Sequence, residues 1–396
     1  MTIVVVHNEY QQAGGEEEAV RNEIAMLSSH GHDVELLRFS NAQISSPWRR
    51  LKAAWQATYS NASRPRLRQD LMRIRPDIVH VHNFFPLVSP SVYDACREAG
   101  IPVVQSLHNY RIICPGALLL RKDTPCELCV RASPYLSVVH RCYRNSWLGT
   151  LAAARMVQHH RLHGTWLEKV DCFIALTEFA RTKFVEGGLP ADRIEVKPNF
   201  LTPDPGTGMG GGEYALFVGR LSREKGIALL LRAWAELKRG IDLKIVGSGP
   251  LAAQTARASR HLGSVQYLGY RRKEEVIALM KQASFLVLPS LCYEGLPMAV
   301  IEAFAVGLPV LSSRIGSLGN VIRDGLTGLH FRPNDQEDLC AKVDWLLSHP
   351  SQLSGMREAA RAEYIENYTA QRNYEKLMAI YERLTGRLSH GSRRHD

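Results

Sequence analysis

The stretch Leu288–Ser313, LPSLCYEGLPMAVIEAFAVGLPVLSS, constrains this chain more than any other. The apolar run Phe285–Leu288 reads as a buried strand, closed by Pro289 and Ser290. Glu294-Gly295 is a second turn signal, and Pro297 suits the first position of a helix that continues to about Ala305. Gly307 and Pro309 end that helix, and Val310–Ser312 starts the next strand. Strand, helix N-terminus and parallel strand follow one another about as tightly as a βαβ unit allows. A helix N-terminus presents free N–H groups and positive dipole density, a setting that can hold phosphate. Two carboxylates bracket this one: Glu294 lies just before it and Glu302 lies inside the helix.

If the whole span were helical, those carboxylates would stand roughly 12 Å apart at about 1.5 Å per residue. An acid/base pair sharing one bond needs roughly 5–9.5 Å. The longer spacing suits two carboxylates that grip opposite ends of an extended ligand whose anionic middle rests on the helix start. A nucleotide sugar has that shape. The spacing and its setting match the E-x7-E motif of the retaining glycosyltransferases of family 4. The chain resembles that family almost end to end.

At 396 residues the chain is expected to form two domains of about 190 residues each. Residues 1–202 read as the first, 203–212 as a linker carrying two prolines and five glycines, and 213–385 as the second. The final helix, predicted over about Met356–Thr385, is expected to cross back to the first domain. The basic tail 386–396 is expected to be disordered.

The opening MTIVVVHNEY has an apolar run of four residues and no basic flank, so it reads as a first strand. No window approaches 18 uninterrupted apolar residues. Together these predict a cytoplasmic protein whose eight cysteines stay mostly reduced. A net charge of +10 points to anionic partners, but no nucleic-acid-binding motif appears. Eight basic residues against one acid fall between Arg49 and Arg75. Within that span Trp48, Leu51, Trp55 and Tyr59 recur at helical spacing among Arg49, Arg50 and Lys52. A basic helix with tryptophans is a membrane-surface pattern, which would make the protein peripheral on an anionic membrane face. A solvated face that packs its aromatics on its own domain is the equal alternative.

In the first half, Ile3–His7, Val34–Phe39, Asp77–His82, Val103–Leu107, Cys172–Leu176 and Arg193–Val196 read as strands. A helix from about Glu16 to His30 is expected to turn Ala19, Ile24 and Leu27 inward. Gly14-Gly15 before it allows close backbone approach, although no G-x-G-x-x-G fingerprint is present. His80 and His82 share one strand face, where metal binding competes with the favoured reading of burial and hydrogen bonding. His108 stands at the carboxyl end of its strand, where ligands of open parallel sheets bind. Trp147–Glu168 reads as one long helix. The insert from Cys114 to Cys142 spaces its cysteines C-x11-C-x2-C-x12-C. Cys114, Cys126, Cys129 and Cys142 are thereby a candidate structural zinc set, with His140 in reserve and free thiols or a disulfide as alternatives.

The second half opens with strand Tyr214–Val218 and GRLSREKG. Arg220 and Lys225 flank the start of the following helix, where two cations can grip a diphosphate. This G-R-L-x-x-x-K-G pattern is also similar to family 4. The resemblance implies a GT-B fold, two doubly wound Rossmann-like α/β domains facing across a cleft, and retaining transfer of a hexose from UDP or GDP to an acceptor hydroxyl. It implies no catalytic cofactor. It places Gly14, Gly15 and His108 near the donor diphosphate, sugar and acceptor, and Gly269 and Tyr270 by the nucleobase. Glu294 is implied for the sugar, Glu302 for the ribose, and Gly295, Leu296 and Pro297 for the phosphate-facing helix start. Similar cysteine inserts occur in members that build polysaccharides, and with the basic helix this suggests a glycan or lipid-linked acceptor. Two rivals remain: a nucleotide-sugar epimerase or hydrolase of the same architecture, and a non-enzymatic membrane- or nucleic-acid-binding sensor.

Overall fold

Short β-branched runs alternating with helices build two separate parallel sheets. The computed structural model describes residues 1–10, 14–44, 46–210, 212–237 and 240–386. The first unit comprises Met1–Leu119, Glu127–Pro198 and the chain from Gln371; the second comprises Leu120–Cys126 and Asn199–Ala370.

In the first unit the strands are β1 (Thr2–Glu9), β2 (Asp33–Ser40), β3 (Ile78–Asn83) and β4 (Val103–Leu107). A two-stranded antiparallel hairpin, β5 (Leu120–Arg121) and β6 (Thr124–Pro125), falls in the second unit. The first sheet is completed by β7 (Cys172–Ala175) and β8 (Ile194–Val196), in the order β2-β1-β3-β4-β7-β8 with every pairing parallel. Its central strands are buried on both faces, which is why they read in sequence as continuous apolar runs.

The second unit carries β9 (Tyr214–Val218), β10 (Asp242–Val246), β11 (Val265–Gly269), β12 (Phe285–Leu288), β13 (Val310–Ser313) and β14 (Gly328–Phe331). Their order is β11-β10-β9-β12-β13-β14, again all parallel. Phe217, Leu230, Trp234, Ile245, Phe285, Leu339 and Val343 pack one core of this unit. The indole of Trp234 is buried there and donates to the Ile241 carbonyl at 2.9 Å. In each sheet the strand order reverses beside the first strand, between β1 and β3 and between β9 and β12. Loops after the carboxyl ends of such strands are where open α/β sheets bind ligands.

Several expectations are corrected. The long helix Trp147–Glu168 is two helices, Trp147–Leu162 and Thr165–Glu168, broken where Gly164 takes φ +60°. The helix predicted over Met356–Thr385 is also two, Pro350–Asn367 and Ala370–Thr385, and Thr369 between them bridges to Leu201. The second of these belongs to the first unit, with Leu377 and Tyr381 fully buried. The glycine-rich linker is not a free tether. The Gly208 amide donates to the Val306 carbonyl at 2.9 Å and the Gly210 amide to Lys281 at 3.2 Å, both within the second unit. The basic amphipathic helix stops at Gln56, so Tyr59 leaves its stripe and donates instead to Asp94 at 3.0 Å. The tail beyond Gly386 lies outside the described residues. Among the described residues no helix is long and apolar enough to cross a membrane.

Candidate active site

The two switch-point loops of the second unit are locked together by one glycine. Gly226 ends the GRLSREKG loop at φ +72°, and a Cβ there would lie 1.9 Å from the Pro289 carbonyl oxygen in the loop after β12. Only glycine permits that approach. The backbone follows, with the Leu291 amide donating to the Glu224 carbonyl at 2.8 Å. Lys225 is thereby set against Glu294, Nζ to Oε1 at 2.7 Å, and Ser290 Oγ donates to the same oxygen at 2.7 Å. Burial alone would lower the Lys225 ammonium, but Glu294, with Cys292 behind it, outweighs burial and raises it above the ordinary lysine value. Lys225 is therefore a permanent cation at this loop junction. Arg220 is exposed nearby in sequence and has no ion-pair partner among the described residues.

The helix after Glu294 runs from Met298 to Ala305, with Pro297 as its N-cap rather than its first residue. No side-chain hydrogen bond caps it, and the Val300 amide turns back to the Pro297 carbonyl at 3.0 Å, which leaves the positive dipole end of the helix facing the loop. Leu296 is buried and Gly295 and Pro297 are half-buried. Because the helix begins only at Met298, the all-helical 12 Å spacing does not describe the two carboxylates. Glu302 lies in the second turn and is 6% exposed. At the end of β11, Gly269 takes φ +72°, and Tyr270 after it is 72% exposed, an open aromatic face.

In the first unit His108 follows β4, and its Nε2 lies 2.9 Å from Nδ1 of His82 on β3. The two rings stack with centroids 5.2 Å apart. Burial, then the neighbouring His82, holds the His108 ring well below the usual histidine range. His80 and His82 are both buried, and both are engaged: His80 Nε2 meets Ser106 Oγ at 2.8 Å. Gly14 and Gly15 are exposed at the start of the helix Gly15–Ser29. The Gly14 amide is already taken by Glu17 Oε2 at 2.7 Å, and residues 11–13 of the loop before it lie outside the described residues.

Three residues of this region were not singled out from the sequence. Glu16 follows the glycines with one carboxylate oxygen buried and without a hydrogen-bond partner among the described residues; burial, then Glu17, pushes its carboxyl up to about 8. Glu23 is buried on the inner face of the same helix, which consists of Ala19, Val20, Glu23, Met26 and Leu27, with Ile24 turned partly outward. Lys197 is buried against it, Nζ to Oε2 at 2.8 Å. A lone carboxylate four residues from both Ala19 and Leu27 on an apolar stripe was the available signal for Glu23; Lys197 had none.

The expected zinc set is not assembled. None of the eight cysteines forms a disulfide, and no three of Cys114, Cys126, Cys129 and Cys142 bring their sulfurs within 4.8 Å of one another. Cys129 instead turns its thiol toward the Pro134 carbonyl at 3.9 Å. Among the described residues the one metal-like group that close is Glu23, His80 and His82.

Residues 208–363 match the model of the glycosyl transferases group 1, and residues 14–199 match that of the glycosyl transferase 4-like domain. The chain is 29% identical to a glycogen synthase of Mycobacterium tuberculosis over 308 residues, 75% of this chain and 66% of that protein. It is 27% identical to a D-inositol 3-phosphate glycosyltransferase of Rhodococcus erythropolis over 327 residues, 79% of this chain and 69% of the relative. Among solved structures, Anabaena HepE in complex with UDP and glucose superposes with a TM-score of 0.70 at 16% identity, covering 97% of this chain and 100% of that one. A sucrose-phosphate synthase from Thermosynechococcus elongatus gives 0.71 at 15% identity, covering 97% and 99%. Two six-stranded parallel units with these likenesses have the GT-B fold, and the chain belongs to the family 4-like, group 1 glycosyltransferases.

Proposed function

We propose that this chain is a retaining glycosyltransferase that moves a hexose from a UDP- or GDP-sugar to an acceptor hydroxyl. The observation that carries this reading is the Lys225–Glu294 pair at the switch point, beside a helix start with no side-chain cap and an exposed Arg220 with no ion-pair partner among the described residues. Cations and helix amides together stabilise a departing diphosphate, whose charge grows as the sugar bond breaks. Glu294 then has the sugar hydroxyls within its role and Glu302 the ribose hydroxyls. Retention follows the family's proposed same-face substitution, in which the leaving diphosphate helps take the acceptor proton. No catalytic metal or cofactor enters this scheme. An epimerase or hydrolase of the same architecture would consume donor with no acceptor present. A non-enzymatic sensor would have no need of the Lys225–Glu294 pair.

The acceptor is proposed to be a glycan or lipid-linked glycan of a surface polysaccharide, reached from the cytoplasmic membrane face. One specific observation favours that reading. In the helix Pro47–Gln56 only Ala53 is buried, while Trp48 is 81%, Trp55 70% and Leu51 53% exposed among exposed Arg49, Arg50 and Lys52. Arg155 lies over the Trp55 ring at 4.3 Å, which adds a further cation to that face.

The test of the donor reading is a thermal-shift panel of UDP, GDP and their hexose conjugates on wild type, Lys225→Ala and Glu302→Ala. A ligand at 100 Kd stabilises by about 2.7 kcal/mol. One nucleotide class is expected to stabilise wild type, with the shift lost in both variants. No shift with any nucleotide would remove the transferase reading's support.

A further inference from the structure

Behind His108 lies a buried set of ionisable groups that the donor site does not use. Glu23 is its centre. Its Oε2 accepts from Lys197 Nζ at 2.8 Å, and its Oε1 lies 2.9 Å from His80 Nδ1 and 3.1 Å from His82 Nε2. Lys197 also donates to Asn373 Oδ1 at 2.9 Å, and His80 Nδ1 lies 2.7 Å from the Tyr381 hydroxyl. Glu23, His80, His82 and Lys197 are each no more than 5% exposed. Glu23, His80 and His82 are close enough together for a metal ion. Lys197 argues against that use, because its ammonium already supplies the cation at this carboxylate.

We propose that Glu23 and His82 are positioning residues that fix one tautomer of His108, leaving its Nδ1 as a bare lone pair for a substrate hydroxyl. The proposal rests on the reading that His108 belongs to the transfer site. Burial would raise the Glu23 carboxyl, but Lys197 and then the two imidazoles outweigh it and hold it well below the usual carboxylate range. An ionised carboxylate only accepts. A carboxylate 3.1 Å away favours a proton on that ring nitrogen, since a lone pair there would be repelled. The His82 contact lies off the hydrogen-bond axis, so it orients the ring by charge rather than by a well-aligned bond. A His82 ring that carries a single proton, on Nε2, offers Nδ1 as a lone pair. His108 Nε2, 2.9 Å from that atom, must then be the donor. The proton assignment therefore passes from Glu23 through His82 to His108. His108 Nδ1 is left without a partner among the described residues, and it is not among the buried unpartnered atoms.

The groups that face His108 are His7 on β1, Glu23 on the first helix, and His80 and His82 on β3. Burial and the adjacent imidazoles hold the His108 ring neutral, which keeps the lone pair available at neutral pH. This is how a second group usually sets the tautomer of a working histidine.

The test is a long-range 1H–15N spectrum of the full chain labelled with 15N-histidine, with His108 assigned by loss of its signals in His108→Ala. Wild type is expected to show His108 as the Nε2–H tautomer, unchanged from pH 8 to 6. His82→Phe keeps a ring in place but removes the acceptor, so His108 should become a mixture of tautomers and titrate at higher pH. An Nδ1–H tautomer in wild type, or an unchanged His108 in His82→Phe, overturns the proposal. If His82→Phe does not fold, the wild-type tautomer alone decides. The spectrum is read without ligand, so it stands apart from the reading of His108 itself. That reading is tested by turnover of His108→Ala with the donor found in the nucleotide panel, and it fails if the rate is unchanged. If His108→Ala does lose turnover, His82→Phe is expected to cost about tenfold alone and nothing further in the His108→Ala background. Costs that multiply would count against a relay.

Discussion

Acid should destabilise the first unit before ordinary carboxylate titration begins. Burial lowers His7 to about 3 and His80 and His160 to about 4, and all three are no more than 3% exposed. An unfolded histidine titrates near 6.5. Between that value and the folded one, the unfolded chain binds a proton that the native chain refuses, so stability is present above pH 6.5 and is lost as pH falls. Lowering the pH from 7 to 5 costs about 1.8 kcal/mol for each such histidine. Glu16 acts in the opposite sense. Its folded value of about 8 means its contribution is full below the ordinary carboxylate range and lost as pH rises, so the same step returns about 2.5 kcal/mol. His108, also depressed, adds to the loss. The net effect is a loss of about 3 to 5 kcal/mol, a large share of a domain's stability. Glu23 does not enter this window, because its contribution disappears only below the ordinary carboxylate range. All of these groups belong to the first unit. Urea titrations at pH 7, 6 and 5, followed by histidine-region NMR, should show the first unit's midpoint falling steeply. A change under about 1 kcal/mol would refute the argument, since it would mean these rings are hydrated and titrate normally.

Gly226→Ala should destabilise the second unit by about 2–4 kcal/mol, because the residue sits at positive φ with its Cβ directed at backbone rather than a movable side chain. It should also abolish nucleotide stabilisation by pulling Lys225 from Glu294; wild-type urea stability would show that the loops can part freely. Wild-type protein should float with anionic phosphatidylserine or phosphatidylglycerol vesicles, and Trp48→Ser combined with Trp55→Ser should reduce the bound fraction at least tenfold. Flotation that is absent in wild type, or equal in both, would remove the membrane reading.

The strands were legible because a parallel sheet covered on both faces reduces its strands to unbroken apolar runs. Val103–Leu107, Tyr214–Val218, Val265–Gly269, Phe285–Leu288 and Gly328–Phe331 fall where the pattern puts them. The loop positions of Lys225 and Glu294, which pair at 2.7 Å, were equally legible, because each sits in a glycine-marked loop between strand and helix. What failed was what depends on distance along the chain. Glu23 and Lys197 meet across 174 residues. The helix breaks at Gly164 and Thr369 were also missed. A single helical glycine carries little local signal, and Thr369 is pulled out of helix by pairing with Leu201. The cysteine spacing is local in the converse way: C-x2-C is read along the chain, while a metal site needs all four thiols to converge, and no three of them lie within 4.8 Å of one another.

The helix Ala370–Thr385 follows the main segment of the second unit in sequence, yet it fills the first unit. Leu377 and Tyr381 are fully buried there, and Asn373 holds Lys197 in place while donating to the Pro198 carbonyl at 2.6 Å. On the ribosome, therefore, the amino-terminal sheet emerges early but waits for some 170 intervening residues before its core is closed and the Glu23–Lys197 pair is held on both sides. The second unit, continuous in sequence apart from one short hairpin, can complete itself sooner. A nascent chain cut just before Ala370 would carry a complete second sheet and a first unit without its closing helix, a species suited to chaperones.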